Sequence, residues 1–305
     1  MSWYAKALDV LKRVALLACT GVLLAGISGC MGIPDQELTN YREAYIEAQK
    51  AGDLLYDDLA AAVVRAGGGP AASNCVRNNN TPTCFDPSVA LNGGAPADIP
   101  AIRARRLALS AIETYNLAVV DVLEGKRGDA LATRIDNLKG LVGDLLLLGS
   151  VTTGPLPALV AGNSAQLLGA LVKRLDRFAS QQQVRASLVD NAETVETLIT
   201  LLIRDTKPMY NLYRTSQGKY AVELELSGGS RNKAALAAYA RIASYHDQLT
   251  AYVQLLAQTR SSFAQLIESL NNSQVSTSDL RATIREAIEI RKAAENFWAE
   301  VRKAR

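Results

Sequence analysis

The single histidine of the chain, His246, limits the catalytic chemistry that the sequence can support. A helical di-iron site needs a Glu-x-x-His motif on each of two helices, and a zinc peptidase needs the two histidines of His-Glu-x-x-His. Neither set can be assembled around one histidine. Ser244 and Asp247 lie close by in the sequence, but near neighbours on a helix point in different directions, so we do not expect a hydrogen-bonded triad.

Pairs of glutamates offer another route to hydrolysis. Glu43 with Glu47, and Glu286 with Glu289, are spaced to share one face of a helix, where such residues normally meet solvent. A glycosidase that cuts peptidoglycan would need two carboxylates facing each other across a cleft. We therefore predict a protein that is not an enzyme and uses no cofactor or metal, with a carboxylate-based cell-wall enzyme as an alternative.

Three arginines, Arg103, Arg105 and Arg106, crowd the first turns of a helix that we expect to begin near Asp98. Guanidinium groups bind phosphate and carboxylate groups well, so this cluster is a candidate interaction site. The alternative is a charged face that meets only solvent.

The first thirty residues have the layout of an export signal. Basic residues at Lys6, Lys12 and Arg13 precede an apolar run over residues 14–27. This run is shorter than the roughly 20 residues that a membrane-spanning helix needs. We therefore expect a cleaved signal and not a permanent transmembrane anchor.

The signal ends in Ile27-Ser28-Gly29-Cys30, which resembles the lipobox of bacterial lipoproteins. The resemblance covers the signal only. It implies cleavage before Cys30, lipidation of that thiol, and a mature chain tethered by its acyl groups. Because Met31 and not aspartate follows the cysteine, it also implies the outer membrane, facing the periplasm.

Removal of residues 1–29 would leave two cysteines besides the lipidated one, Cys75 and Cys84. Their spacing is not Cys-x-x-Cys, and no further metal ligands accompany them. In an oxidising compartment we expect a structural disulfide between them. It would close a short loop, which stabilises the fold by about 2.5 kcal/mol in the chain-entropy treatment.

The mature chain would be nearly neutral. Without the three basic residues and the one aspartate of the signal, the totals of 33 and 30 become 30 basic and 29 acidic residues. A nucleic-acid-binding protein needs a concentrated basic face, so we predict no nucleic-acid partner. The expected partners are the membrane, through Cys30, and a protein of the envelope, with the oligomeric state left open.

Apolar and small residues recur at alternating steps of three and four along most of residues 30–305, which we read as one domain. The most regular repeats predict helices near 35–66, 188–213, 230–271 and 276–305. These repeats predict an all-α fold, an elongated antiparallel helical bundle. Between Gly67 and Pro100 the pattern stops, and we expect a long loop that contains the cysteine pair.

Two segments depart from this pattern. Residues 219–226 alternate polar and apolar side chains, which predicts one short β-strand unless helical context overrides it. Residues 145–172 contain no charged side chain, and two prolines divide them, which predicts an apolar helical hairpin. The candidate membrane or partner residues in this hairpin are Leu145, Leu146, Leu147, Leu148, Leu156, Leu159 and Val160.

Every strong feature of the sequence is architectural. We therefore predict a lipid-anchored envelope lipoprotein that acts as a non-enzymatic scaffold or protein-interaction module. The first alternative is a membrane-active bundle that inserts the 145–172 hairpin, and the competing interpretation is that this hairpin is buried core.

Overall fold

The computed structural model describes residues 35–66, 99–125, 129–150, 156–160, 163–175, 181–229, 232–271 and 277–303. Ile27–Cys30, Cys75 and Cys84 lie outside these residues, so lipidation and the disulfide stay predictions. The described chain forms eight helices: α1 (Asp35–Arg65), α2 (Pro100–Leu123), α3 (Asp129–Gly149), α4 (Asn163–Leu175), α5 (Gln181–Asp190), α6 (Ala192–Gly228), α7 (Lys233–Asn271) and α8 (Thr277–Lys303). The all-α prediction is confirmed.

The long helices pack antiparallel around α7, which contacts α1, α2, α5, α6 and α8. The apolar repeat predicted for α1 lies in the core, where Tyr45, Ala48, Leu55, Leu59 and Ala62 are buried. Full burial of a leucine side chain contributes about 1.5–3 kcal/mol, so repeats of this length account for much of the driving force. Residues 34–305 belong to one compact unit.

Tyrosine hydroxyl groups connect neighbouring helices inside this core. Tyr45 on α1 donates to the carbonyl oxygen of Thr259 on α7 at 2.9 Å, and Tyr245 on α7 donates to Leu55 on α1 at 3.2 Å. Tyr115 on α2 donates to the carbonyl oxygen of Leu188 on α5. These bonds satisfy hydroxyl groups that would be costly to bury unpaired.

Neighbouring side chains approach the backbone of α1 closely at Gly52. A methyl group added there would lie 2.3 Å from a methyl carbon of Leu109 and 2.7 Å from the hydroxyl oxygen of Tyr252. Both of those side chains are buried, so neither has room to move aside. The packing therefore requires glycine at this position.

The β-strand predicted at residues 219–226 is wrong, because helix α6 continues without interruption to Gly228. It also continues through Pro208. Backbone hydrogen bonds within the helix replace the sheet ladder, and Ala221 is buried while Val222 and Leu226 are exposed. Packing against α7 thus decides the local structure over the alternating pattern.

The described parts of the apolar segment 145–172 lie at the end of α3, at residues 156–160 and in α4, and α3 contacts α4. Leu145, Leu156, Leu159 and Val160 are buried, as the core interpretation expects. The backbone N–H of Val160 donates to the carbonyl oxygen of Gly149 at 3.0 Å, which ties Val160 to the end of α3. The other three leucines at the end of α3 are less covered: Leu146 and Leu148 are half-buried, and Leu147 is 73% exposed.

Among the residues that the structure describes, none of the helices is both long and apolar enough to cross a membrane.

Candidate functional site

The three arginines predicted as an interaction site lie in three different environments. Arg105 is completely buried, and its guanidinium donates two hydrogen bonds of 2.5 Å to the carboxylate of Asp205 on α6. It also donates to the carbonyl oxygens of Ala101 at 2.7 Å and Pro157 at 3.0 Å. Arg105 therefore joins three parts of the core and cannot reach a surface ligand.

The other two arginines are accessible to different degrees. Arg106 donates to Asp53 at 3.0 Å and to Asp57 at 2.6 Å, and it lies over the ring of Tyr56 at 5.7 Å. Arg103 is exposed. The structure thus brings none of the three together as a shared binding site.

His246 and Asp247 do hydrogen-bond, contrary to the sequence expectation, with 3.1 Å between Nδ1 and Oδ1. Both side chains are largely exposed, and the imidazole packs edge-on against Tyr210. The Oγ of Ser244 accepts a hydrogen bond from Gln248 at 3.1 Å. In the described part of the chain, no serine side chain is hydrogen-bonded to His246 or Asp247.

Three of the glutamates that suggested hydrolysis, Glu43, Glu47 and Glu289, lie next to basic side chains. Glu47 accepts hydrogen bonds from Lys50 at 2.8 Å and from Trp298 at 2.8 Å. Partial burial alone would raise the pKa of this carboxyl group, but these hydrogen bonds keep it below its ordinary value. Glu43 lies 3.7 Å from Arg291. An ionised Glu47 is suited to structural pairing and not to general acid catalysis.

Exposed apolar side chains concentrate where α6 ends and α7 begins. Of the seven large hydrophobic residues that are exposed in the described part of the chain, four belong to this hairpin: Val222, Leu226, Leu236 and Tyr239. The small residues Ala221, Ala235 and Ala238 are buried there. This arrangement turns the larger apolar side chains of α6 away from α7.

On α6, Gly218, Val222 and Leu226 follow one another at steps of four residues and lie on the same face; we call them the outer stripe. A methyl group added at Gly218 would meet only open space, and Leu226 is 84% exposed. Beside the stripe, Lys219 donates a hydrogen bond at 2.9 Å to the carbonyl oxygen of Ala66, the residue that follows α1. Helix α6 continues beyond this contact to Gly228.

A second feature is a cleft of about 430 Å³ between α1, α6, α7 and α8, which we call the polar cleft. This volume falls within the roughly 300–1,000 Å³ typical of small-molecule sites. Its wall includes charged, amide, hydroxyl and aromatic groups from three helices: Asp58, Arg65, Tyr213, Arg241, Ser244, Tyr245 and Gln248.

Two tyrosine rings form the aromatic wall of the polar cleft. Tyr213 and Tyr245 stack with their centroids 3.8 Å apart and their planes within 9° of parallel. Burial is the main cause that raises the pKa of both hydroxyl groups. The charges of Asp58, Arg65 and Arg241, which line the same cleft, also act on the pKa of Tyr213.

Two polar atoms of the cleft residues have no hydrogen-bond partner in the protein. They are the buried Nε of Arg65 and the Oε1 of Gln248, whose side chain is only 5% exposed. An unpaired buried polar group costs about 1–3 kcal/mol, so such atoms are uncommon without a reason.

Sequence reasoning identified neither the outer stripe nor the polar cleft. Val222 and Leu226 of the stripe lie in the segment predicted as a strand, and the apolar alternation there was the visible signal. The cleft residues come from positions far apart in the chain and match no short motif.

No protein-family model matches the chain, and a search of curated proteins and of solved structures likewise finds no match.

Proposed function

We propose that the protein is a lipid-anchored, non-enzymatic interaction module of the bacterial envelope, tethered through Cys30 at the outer membrane and facing the periplasm. Anchoring is supported by the lipobox-like Ile27-Ser28-Gly29-Cys30. Interaction is supported by one observation above all, the concentration of exposed apolar side chains at the α6–α7 hairpin.

The outer stripe has the spacing that a second helix needs. Gly218, Val222 and Leu226 form one row of i, i+4 neighbours, and side chains of a facing helix fit between such rows. The open space above Gly218 admits a bulky side chain of the partner, while Val222 and Leu226 supply apolar surface. The partner is therefore an amphipathic helix of another envelope protein.

Charges beside the outer stripe add a requirement for the partner. Lys219 and Glu223 each follow a stripe residue by one position, and both are exposed. A partner helix that places an acidic residue near Lys219 and a basic residue near Glu223 would be oriented by these charges, as in paired coiled-coil helices.

The proposal is tested by quantitative affinity purification of the full-length protein from membranes. We expect Leu226→Glu to deplete a specific partner by at least about tenfold, because a charge would be buried in an apolar interface. Leu147→Glu is the matched control, since this leucine is also strongly exposed but lies on α3.

A Cys30→Ala variant tests the anchor separately. It should lose acyl labelling and release the protein from the membrane while the bundle stays folded. Equal partner recovery from the wild type and the Leu226→Glu and Cys30→Ala variants would refute a specific interaction at this hairpin.

A further inference from the structure

We propose that the outer stripe pairs with the outer stripe of a second copy of this chain, with the two α6 helices antiparallel, and that the partner helix displaces this second copy. The inference rests on the proposed function, because it takes the outer stripe to be a helix-binding surface. It adds a competitor for the same surface. The arrangement follows from the shape and the charges of α6.

The outer stripe is complementary in shape to itself. Gly218 and Leu226 lie four residues before and four residues after Val222. When two copies lie antiparallel with Val222 opposite Val222, Leu226 of each copy therefore faces Gly218 of the other. Leu226 is 84% exposed, and a methyl group added at Gly218 would meet only open space. The side chain that projects farthest thus fills the gap in the facing helix, and a twofold pair makes this contact twice.

The charges beside the outer stripe are complementary in the same arrangement. Lys219 and Glu223 are both exposed and lie on the same flank of the stripe. A twofold axis at Val222 brings the equivalent flanks of the two helices side by side. Lys219 of one copy and Glu223 of the other are then offset by two residues, about 3 Å of helix rise, and each dimer forms this ion pair twice. The ammonium group of Lys219 has three donors, so it keeps its hydrogen bond to Ala66.

Three basic residues of α6 select the antiparallel direction. Arg204, Lys207 and Arg214 are all exposed and precede the outer stripe. In a parallel pair each would lie beside its own equivalent, and like charges placed together repel. In the antiparallel pair Arg214 lies eight residues from the twofold axis, so its two equivalents are about 24 Å apart along the helices. That separation exceeds the Debye length of about 8 Å, and the repulsion is screened.

The position and size of the outer stripe fit a weak dimer. Within the described part of the chain, Val222 and Leu226 are 46% and 84% exposed, on the part of α6 that extends beyond the contact between Lys219 and Ala66. Three stripe residues from each copy form a contact at the small end of protein interfaces, so we expect a dissociation constant of about 10–500 µM. A partner helix that binds more tightly displaces the second copy.

Disulfide trapping of the purified full-length protein, solubilised in detergent and free of other proteins, tests the pairing. Val222→Cys should form an interchain disulfide at least about fivefold above the wild-type background, because the two equivalent positions face each other within the range that a disulfide spans. An equal mixture of Gly218→Cys and Leu226→Cys should also crosslink. Each of these two variants alone should not, because its equivalent positions lie about 12 Å apart along α6. Leu147→Cys, at a strongly exposed position on α3, is the control and should stay at background.

Charge exchange tests the register independently. In the Val222→Cys background, Lys219→Glu should lower the disulfide yield by about 2- to 10-fold, because like charges replace both ion pairs. Adding Glu223→Lys should restore the yield, because the exchanged pair has the same complementarity. Loss of the hydrogen bond to Ala66 would not be rescued in this way, so the rescue separates pairing from a local structural effect.

Three results would overturn the pairing with a second copy. They are a Val222→Cys yield at background, crosslinking of Gly218→Cys or Leu226→Cys alone as strong as that of their mixture, and a Lys219→Glu yield that is not lowered or not restored by Glu223→Lys. Each would leave the proposed function standing, because that is decided by partner recovery from membranes with Leu226→Glu. Equal partner recovery in that purification would refute the partner helix and leave the disulfide yields to decide the dimer.

Discussion

Removing Asp205 should destabilise the bundle more than removing any exposed charge. In an Asp205→Ala variant, the completely buried Arg105 would lose both of its 2.5 Å hydrogen bonds to the carboxylate. Its two carbonyl partners would remain, but its positive charge would have no counter-ion. Breaking a buried ion pair on one side costs about 3–5 kcal/mol.

This cost can be converted into a melting temperature. For a compact unit of this size, each kcal/mol corresponds to about 2 °C, so Asp205→Ala should melt about 6–10 °C below the wild type. Circular dichroism at 222 nm during heating, together with denaturant unfolding of the full-length chain, measures the change.

Two further variants isolate the reason for the loss. Replacing both partners, with Arg105→Met and Asp205→Leu, should recover most of the stability because no buried charge is left unpaired. Arg106→Gln, at the neighbouring position, should cost about 0–1 kcal/mol because its ion pairs are partly exposed. The reasoning would be refuted if Asp205→Ala lost no more than Arg106→Gln, or if the double variant were less stable than the single one.

Three other perturbations have expected outcomes. Gly52→Ala should lower the free energy of unfolding by about 1–3 kcal/mol, because the added methyl group clashes in the core. Gly140→Ala has open space around it and should raise the free energy of unfolding by up to about 1 kcal/mol, because alanine favours the helix more than glycine does. Chemical unfolding measures both changes, and equal effects would contradict the packing at Gly52. The raised pKa of the buried Tyr245 keeps its proton in the folded state, so the free energy of unfolding should fall as pH rises above about 10. Tyr245→Phe should make this decline shallower by about 1.4 kcal/mol per pH unit, and an unchanged slope would contradict the assignment. Leu159→Asp should unfold the protein, while Leu147→Asp should leave its melting temperature nearly unchanged. The reverse order would place the 145–172 segment outside the core.

The helices were predictable because their repeats extend over several turns. The repeat in α7 places Tyr245, Leu249, Tyr252, Leu256 and Phe263 on one face, and all five are buried. A signal of that length outweighs local exceptions.

The strand at residues 219–226 was predicted wrongly because alternation over a few residues fits two structures. In a helix, Val222 and Leu226 fall on one face, and the same residues would also share one face of a strand. The deciding factor is the buried Ala221, together with the long α7 beside it, which the local pattern does not reveal.

The fate of individual charged residues was also hidden in the sequence. Arg103, Arg105 and Arg106 read as one basic cluster, yet helical geometry directs them to solvent, core and surface. Arg105 is buried because Asp205, a hundred positions away in the chain, supplies its counter-ion. The polar cleft combines equally distant residues, so its composition follows from tertiary packing and not from any local motif.

Site-specific photocrosslinking in cells tests the central claim most directly, with a photoreactive residue placed in turn at Gly218, Val222 and Leu226 and, as the control, at Leu147. A helix seated on the outer stripe predicts crosslinks to one partner protein, at partner residues that step by three or four positions as the probe moves along α6. Crosslinks at unrelated positions, or an identical product from Leu147, would contradict a helix-binding surface at the α6–α7 hairpin.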